Sequence, residues 1–332
     1  MSNILNIFYE EPNPDRWLKY DRYPRKIIRR LIRGKTKPGG VMMVALELMK
    51  GLDLLKIPYR FNDYAYAKKN HRELVCVIGK PHIIFEKRFK NPILFGAGVF
   101  SHPIECPDFF KKYPNVLRML VPGEWMRKMC EPYYKDKVEA WPVGIDTDKW
   151  SINIKKSQLN TDFLIYDKIR WEYPEHQKKL IDPIVQKLEN MGLTYDFIRY
   201  GTYNHTSLIE KLSNAKAVIF LCEHETQGIA YQQILSTNTP ILAWDRGGFW
   251  QDPSFYPDLV KYGPVSSVPY WDERCGIKFK DIFEFEQAVS LFLENINTFS
   301  PRNYILNNLS LAISAKKYID IVKAINENIT NS

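Results

Sequence analysis

The sequence predicts an α/β protein of two domains, each folded around a parallel, doubly wound sheet. Three observations support this expectation. Short apolar runs alternate with helical stretches, the alternation breaks once near residue 150, and a second series of the same kind follows. A chain of 332 residues is also long for one core and comfortable for two.

In the first series, Ile4 to Phe8 reads as a strand. Val41 to Leu55 carries apolar residues at helical spacing and follows Pro38-Gly39-Gly40, a turn leading into a helix start. Leu74 to Ile78, Ile93 to Phe95 and Val116 to Val121 read as strands, and a helix over Glu124 to Tyr134 precedes a last strand, Val138 to Pro142. Gly144 to Trp150 ends the pattern, and Ser151 to Asn160 is polar and without period. The joint is expected there, between domains 1–150 and 151–332. In the second series the strands are Phe163 to Tyr166, Tyr195 to Tyr200, Ala217 to Cys222 and Ile241 to Trp244. Their helices are Lys178 to Met191, Ser207 to Ser213 and Ile229 to Ser236. Tyr304 to Ile325 is helical by spacing, a terminal helix that could return to the N-terminal domain.

Hydrophobic residues at 45% and charged residues at 26% describe a globular chain rather than a disordered one. No apolar run approaches the roughly 20 residues that span a bilayer. Met1 to Glu11 lacks the basic start and long apolar stretch of a secretory signal. Cys76, Cys106, Cys130, Cys222 and Cys275 are scattered, with no CxxC pair. That spacing fits neither a disulfide framework nor a zinc site and points to a reducing, cytoplasmic setting. The net charge of +9 points to an acidic partner. Basic residues recur from Arg22 to Lys37 with no acid among them, and Ile27, Ile28, Leu31 and Ile32 fall at helical spacing. Such a helix could hold the protein peripherally on an anionic membrane surface, or pack on the N-terminal domain with a solvated basic face.

The stretch from Ala217 to Gly248 carries the most chemistry. An apolar strand delivers the chain to Glu223-His224-Glu225-Thr226-Gln227-Gly228, and a helix opens at once. Ligands of open parallel sheets collect at the carboxyl ends of strands. Backbone N–H groups at the helix start, around Gly228 and Ile229, can take a phosphate, and the helix dipole favours it. Gly228 lets the backbone approach closely. Glu225 can accept hydrogen bonds from sugar hydroxyls, and Gln233, eight positions on, can reach toward the same ligand. Read without that chemistry, the stretch is a capped helix with a solvated loop.

Glu225-Thr226-Gln227-Gly228-Ile229-Ala230-Tyr231-Gln232-Gln233, followed by Asn238-Thr239-Pro240-Ile241-Leu242, resembles the donor-site signature of the family 4 glycosyltransferases and their retaining GT-B relatives. That pattern is a Glu, seven residues, a second Glu, then a small turn ending in Pro and a strand. The resemblance implies a GT-B fold, two Rossmann-like domains facing each other across a cleft, the N-terminal one on the acceptor side. It gives Glu225 the donor sugar hydroxyls. Gln233 stands where the second Glu contacts the ribose, keeping hydrogen bonding and losing the charge. Gly39 and Gly40 look like the N-domain glycine loop near the donor phosphates or acceptor. Gly201 looks like the glycine near the base, and His102 like the histidine of the interdomain cleft; its bland alternative is a hydrogen-bonded loop histidine. The family's diphosphate cations would be Arg170 with Lys178, beside Lys168, although Trp171 to Gln177 is a longer insertion than usual.

The implied activity is transfer of a sugar from a nucleoside-diphosphate sugar to a glycan, glycolipid or other hydroxyl acceptor, with retention. Glu225, His102 and Arg170 are the catalytic candidates. Gly39, Gly40, Lys168, Lys178, Gly201, Thr226, Gln227, Gly228, Ile229 and Gln233 are the donor-binding ones. Neither GxSxG nor a papain-like cysteine setting supplies a protein nucleophile. Asp146-Thr147-Asp148 has a DxD spelling but lies at the joint as a turn cap, so no essential metal or cofactor is expected. Three rivals share parts of this reading. They are a nucleic-acid binder using residues 22–37, which resembles no known module and is not expected; a GT-B sugar- or nucleotide-binding protein of weak turnover; and a nucleotide-sugar epimerase or phosphorylase.

Overall fold

The computed structural model describes residues 4–12, 40–98, 100–203 and 205–331. The basic run 22–37 and Gly39 lie outside the described residues. The chain divides into two compact units, residues 1–143 with 314–332, and residues 144–313.

Among the described residues, the first unit holds six strands: β1 (Leu5–Phe8), β2 (Tyr59–Phe61), β3 (Val75–Val77), β4 (Ile93–Phe95), β5 (Val116–Val121) and β6 (Val138–Ala140). They lie in the order β2-β1-β3-β4-β5-β6, and each pairing among the described residues is parallel. The residues of β3 and β4 are fully buried, as expected of apolar strands covered on both faces. The helix Leu311–Asn331 is tied into this unit through its first half. The Trp141 indole N–H donates to Ser314 O (3.0 Å), the Ser314 hydroxyl donates to Pro142 O (2.7 Å), and the Tyr318 ring packs edge-on against Trp141.

The second unit holds β7 (Thr161–Asp167), β8 (Tyr195–Arg199), β9 (Ala215–Leu221), β10 (Ile241–Trp244) and β11 (Gly276–Phe279), ordered β11-β10-β9-β7-β8 and parallel throughout. Period-two alternation sends Leu164, Tyr166, Val218 and Phe220 into one core, with Tyr231 and Leu235 of the helix Ile229–Ser236. Phe163, Ile165, Ile219 and Leu221 enter the other, with Ile184, Leu188 and Phe292. Asp146 caps a turn at the start of the unit by accepting the Lys149 N–H (2.9 Å). The terminal helical pattern is broken in two, Pro301–Asn308 and Leu311–Asn331, because Ile145 pairs with Ser310 between them. A side chain at Gly144 would meet Leu311 Cα at 2.6 Å, so this approach requires glycine.

Counted within each unit, both sheets begin with the same winding, 2-1-3-4-5. In that order the sequence of connections reverses between the first and third strands, and the crevice beyond their carboxyl ends is the usual ligand position. In the second unit those strands are β7 and β9.

Candidate functional site

The loops leaving β7 and β9 meet at this switch point. Asp167 ends β7 fully buried, where it accepts the Ile169 N–H (2.9 Å) and pairs with Arg199 (2.8 Å). Burial pushes its carboxyl above the ordinary range despite both partners. The next residue ties the two strands together, since the Lys168 N–H donates to Leu221 O at 2.7 Å. Its side chain forms an ion pair with Glu225, with both partners nearly sealed from water. Burial pulls the Lys168 ammonium down, but the Glu225 charge outweighs it and the net direction is upward, so the cation persists at neutral pH.

Arg170 is exposed, and one of its terminal nitrogens donates to His224 O (2.9 Å) while the guanidinium lies 4.2 Å from the Trp171 ring centre. Trp171 in turn stacks on His224, with ring centres 5.2 Å apart. His224 accepts the Gln251 N–H at Nε2 (3.0 Å). Burial, with Arg170 nearby, holds its imidazole down to about 4, hence neutral. Glu223 Oε1 accepts the N–H groups of both Arg170 (2.8 Å) and Trp171 (2.9 Å).

Beyond Glu225 the loop is anchored from the segment that follows β10. The Glu225 N–H donates to Ser266 O (2.9 Å), and Asp245 accepts the Ser267 N–H, the Ser266 hydroxyl and the Lys278 ammonium, each at 2.8–2.9 Å. The aromatic-rich stretch Trp250 to Trp271 thus packs back on the loop. Gly228 caps the helix Ile229–Ser236 in the left-handed region, with φ +83°. A Cβ there would lie 2.1 Å from Tyr231, whose ring is fully buried and whose hydroxyl bonds both backbone groups of Tyr270. Glycine is therefore required here by the packing against Tyr231, at a helix start whose first-turn N–H groups have no partner inside the helix.

Of the residues singled out from the sequence, Lys168, Arg170, Glu225, Thr226, Gln227, Gly228 and Ile229 gather on these two loops. Gly201 follows β8 in an exposed turn with open space around it, φ +87°. Gln233 is half-buried, whereas its neighbour Gln232 is fully buried and exchanges hydrogen bonds with Gln227 (3.0 and 2.9 Å). Lys178 is exposed on a π-helical turn, Gln177–Ile181, and the cation beside Glu225 is Lys168. In the first unit, Gly40 is exposed as the first residue of the helix Gly40–Leu54. His102 caps a short turn there. Its Nδ1 accepts the Ile104 N–H (3.1 Å), Glu105 closes the capping box, and burial lowers its pKa. Glu223, Trp171, Arg199 and Gln232 escaped the sequence reading. A second carboxylate two residues before Glu225, at a strand end, was the available signal for Glu223.

Two parallel sheets of this winding in one chain match the make-up of the GT-B class of fold, the architecture of many glycosyltransferases. Among solved structures, the chain resembles a UDP-forming alpha,alpha-trehalose-phosphate synthase from Burkholderia xenovorans in complex with glucose-6-phosphate. The TM-score is 0.53 at 8% identity, over 92% of this chain and 80% of that one. A chain of the GtfA/B complex (TM-score 0.49, 14% identity, 81% of this chain) and TarM (TM-score 0.47, 13% identity, 78% of this chain) also match. This chain spans 63% and 57% of their respective lengths. No family model matches the chain, and no curated protein matches it in sequence. At these identities the likeness is one of fold.

Proposed function

We propose that the chain is a glycosyltransferase that moves a sugar from a nucleoside diphosphate to an acceptor hydroxyl of a glycan or glycolipid, with retention. The observation that carries this reading is the switch point of the second unit, where Lys168 and Arg170 on one strand end adjoin Glu225 and the glycine-capped helix on the next. In the proposed complex the two cations and the N–H groups near Gly228 hold the diphosphate, and Glu225 receives sugar hydroxyls. Gly201 adjoins the base and Gln233 the ribose. His102 and Gly40 serve from the first unit, and the run 22–37 adds contact with anionic lipid. The departing phosphate helps to deprotonate the acceptor, so the protein's work is positioning and charge stabilisation. Fixed side-chain cations do this without an essential metal, and transfer should survive EDTA.

The test is a thermal-shift screen against nucleotide sugars, because a ligand that binds the native state raises its melting temperature. UDP-sugars come first, since the matched trehalose-phosphate synthase is UDP-forming. A hit should be followed by transfer to an acceptor, lost in Glu225→Ala. Stabilisation by none of the panel would sink the proposal. The Lys168–Glu225 pair favours a second reading, a GT-B protein that binds donor without turnover, because Glu225 is already engaged. Binding without donor hydrolysis or transfer would select it.

A further inference from the structure

We infer that Glu223 is a positioning residue for the donor: it fixes the backbone that presents Arg170 and does not itself meet the ligand. This rests on the reading above, in which that cation takes part in holding the diphosphate. Glu223 is 1% exposed, and its Oε1 gathers the N–H groups of Arg170 and Trp171. Two N–H donors on one anionic oxygen form the strong, charge-assisted kind of hydrogen bond. The bond joins the loop after β7 to the loop after β9, so it sets how one strand end sits against the other.

A second observation separates this carboxylate from an ordinary loop cap. Its other oxygen, Oε2, is buried and makes no hydrogen bond. Burying a carboxylate with half its acceptor capacity unused costs stability. Such exceptions to good packing concentrate where a geometry is held for function. The same loop grips Arg170 a second time through His224 O, and Trp171 through the His224 ring. Backbone and side chain of Arg170 are therefore both anchored on residues 223–224. A cation held in place before the ligand arrives needs no reorganisation when charge develops on the leaving diphosphate.

The experiment measures binding of UDP and GDP to the full chain, with uridine and guanosine as controls that lack the diphosphate. The proteins are wild type, Glu223→Ala, Glu223→Gln, Arg170→Ala and the Glu223→Ala/Arg170→Ala double variant. The diphosphate that binds wild type should bind Glu223→Ala about tenfold more weakly, the equivalent of one charge-assisted hydrogen bond. The matching nucleoside should keep its affinity. Glu223→Gln retains a carbonyl oxygen for the two N–H groups and should stay within about threefold of wild type. In the Arg170→Ala background, Glu223→Ala should add less than about twofold, because the two act through one loop. An equal loss of nucleoside affinity, a loss in the Gln variant as deep as in the Ala variant, or full additivity with Arg170→Ala each overturns the inference. If Glu223→Ala does not fold, Glu223→Asp, one methylene short, replaces it with the same expectations. Wild type binding neither diphosphate overturns the donor-site reading itself, which is a different result from tight wild-type binding that Glu223 does not affect.

Discussion

Lys168 and Glu225 expose only 12% and 9% of their side chains, so their attraction acts where water screens it little. Desolvating both charges offsets most of that gain, and a buried pair is therefore weak evidence for stability taken whole. Taken singly its members matter more. Lys168→Met removes the cation that Glu225 faces and should cost about 3–5 kcal/mol in urea unfolding. Lys168→Met/Glu225→Gln should recover most of that stability while nucleotide binding stays lost, and a double variant that regains binding would contradict the diphosphate role of Lys168. His224 gives a second, pH-dependent expectation. Its imidazole is held near 4 against an ordinary value of 6.5. Between those values the unfolded chain binds a proton that the folded chain refuses, so stability falls as pH drops from about 6.5 to about 4, by up to about 3 kcal/mol. His224→Gln keeps an acceptor for the Gln251 N–H and cannot titrate. Denaturant melts at pH 7 and pH 4.5 should show a smaller acid loss in that variant; an equal loss would mean the buried neutral imidazole is not the cause.

At the scale of elements, the helix Ile229–Ser236 begins where a glycine is needed twice over, for φ +83° and for the missing Cβ. Gly228→Ala should cost about 1–2 kcal/mol for the left-handed backbone and a further 1–3 kcal/mol for the collision with Tyr231. Tyr231 cannot turn aside without giving up its two hydrogen bonds to Tyr270. A lowered urea midpoint with weakened nucleotide binding is the expected measurement, and a variant as stable as wild type would deny the tight helix start. This element was legible beforehand, with the bounds Ile229 to Ser236, because its apolar pattern and flanking glycine are local signals. So were Ile93–Phe95, Val116–Val121, Glu124–Tyr134 and Ile241–Trp244. The edge strands β2 and β11 were not, although the opposite edges, β6 and β8, were. Tyr59–Phe61 is three residues long and only half-covered, and Gly276–Phe279 opens on a glycine, so neither carries a buried apolar run. The single helical pattern over Tyr304 to Ile325 hid a break, because the cause is Ile145 pairing with Ser310 from far along the chain. The site was legible to the same depth. The loop from Glu225 to Gly228 has a sequence signature. That Glu225 meets Lys168, that Glu223 holds the Arg170 backbone, and that Gln232 rather than Gln233 is sealed inside depend on which way adjacent side chains turn. Composition and spacing carry no record of that.

For the molecule as a whole, the two units share a winding but not the cations assigned to the donor. Lys168, Arg170, Glu225 and Gly228 all belong to residues 144–313, and the unit that includes the terminal helix supplies none of them. If a nucleoside diphosphate binds through these residues alone, its binding energy enters the second unit's unfolding equilibrium directly. At about 100 times the dissociation constant, ligand adds about 2.7 kcal/mol. For a unit of this size that is a rise of about 5–10 °C in its melting temperature. Amide exchange should slow at the ends of β7 and β9 and in the first turn of the helix Ile229–Ser236, where opening is suppressed by the ligand. The strands of the first unit should exchange as before with the nucleotide alone. Protection of the first unit by the diphosphate itself, with β7 and β9 unchanged, would move the nucleotide to the other sheet and reverse the assignment of donor and acceptor sides.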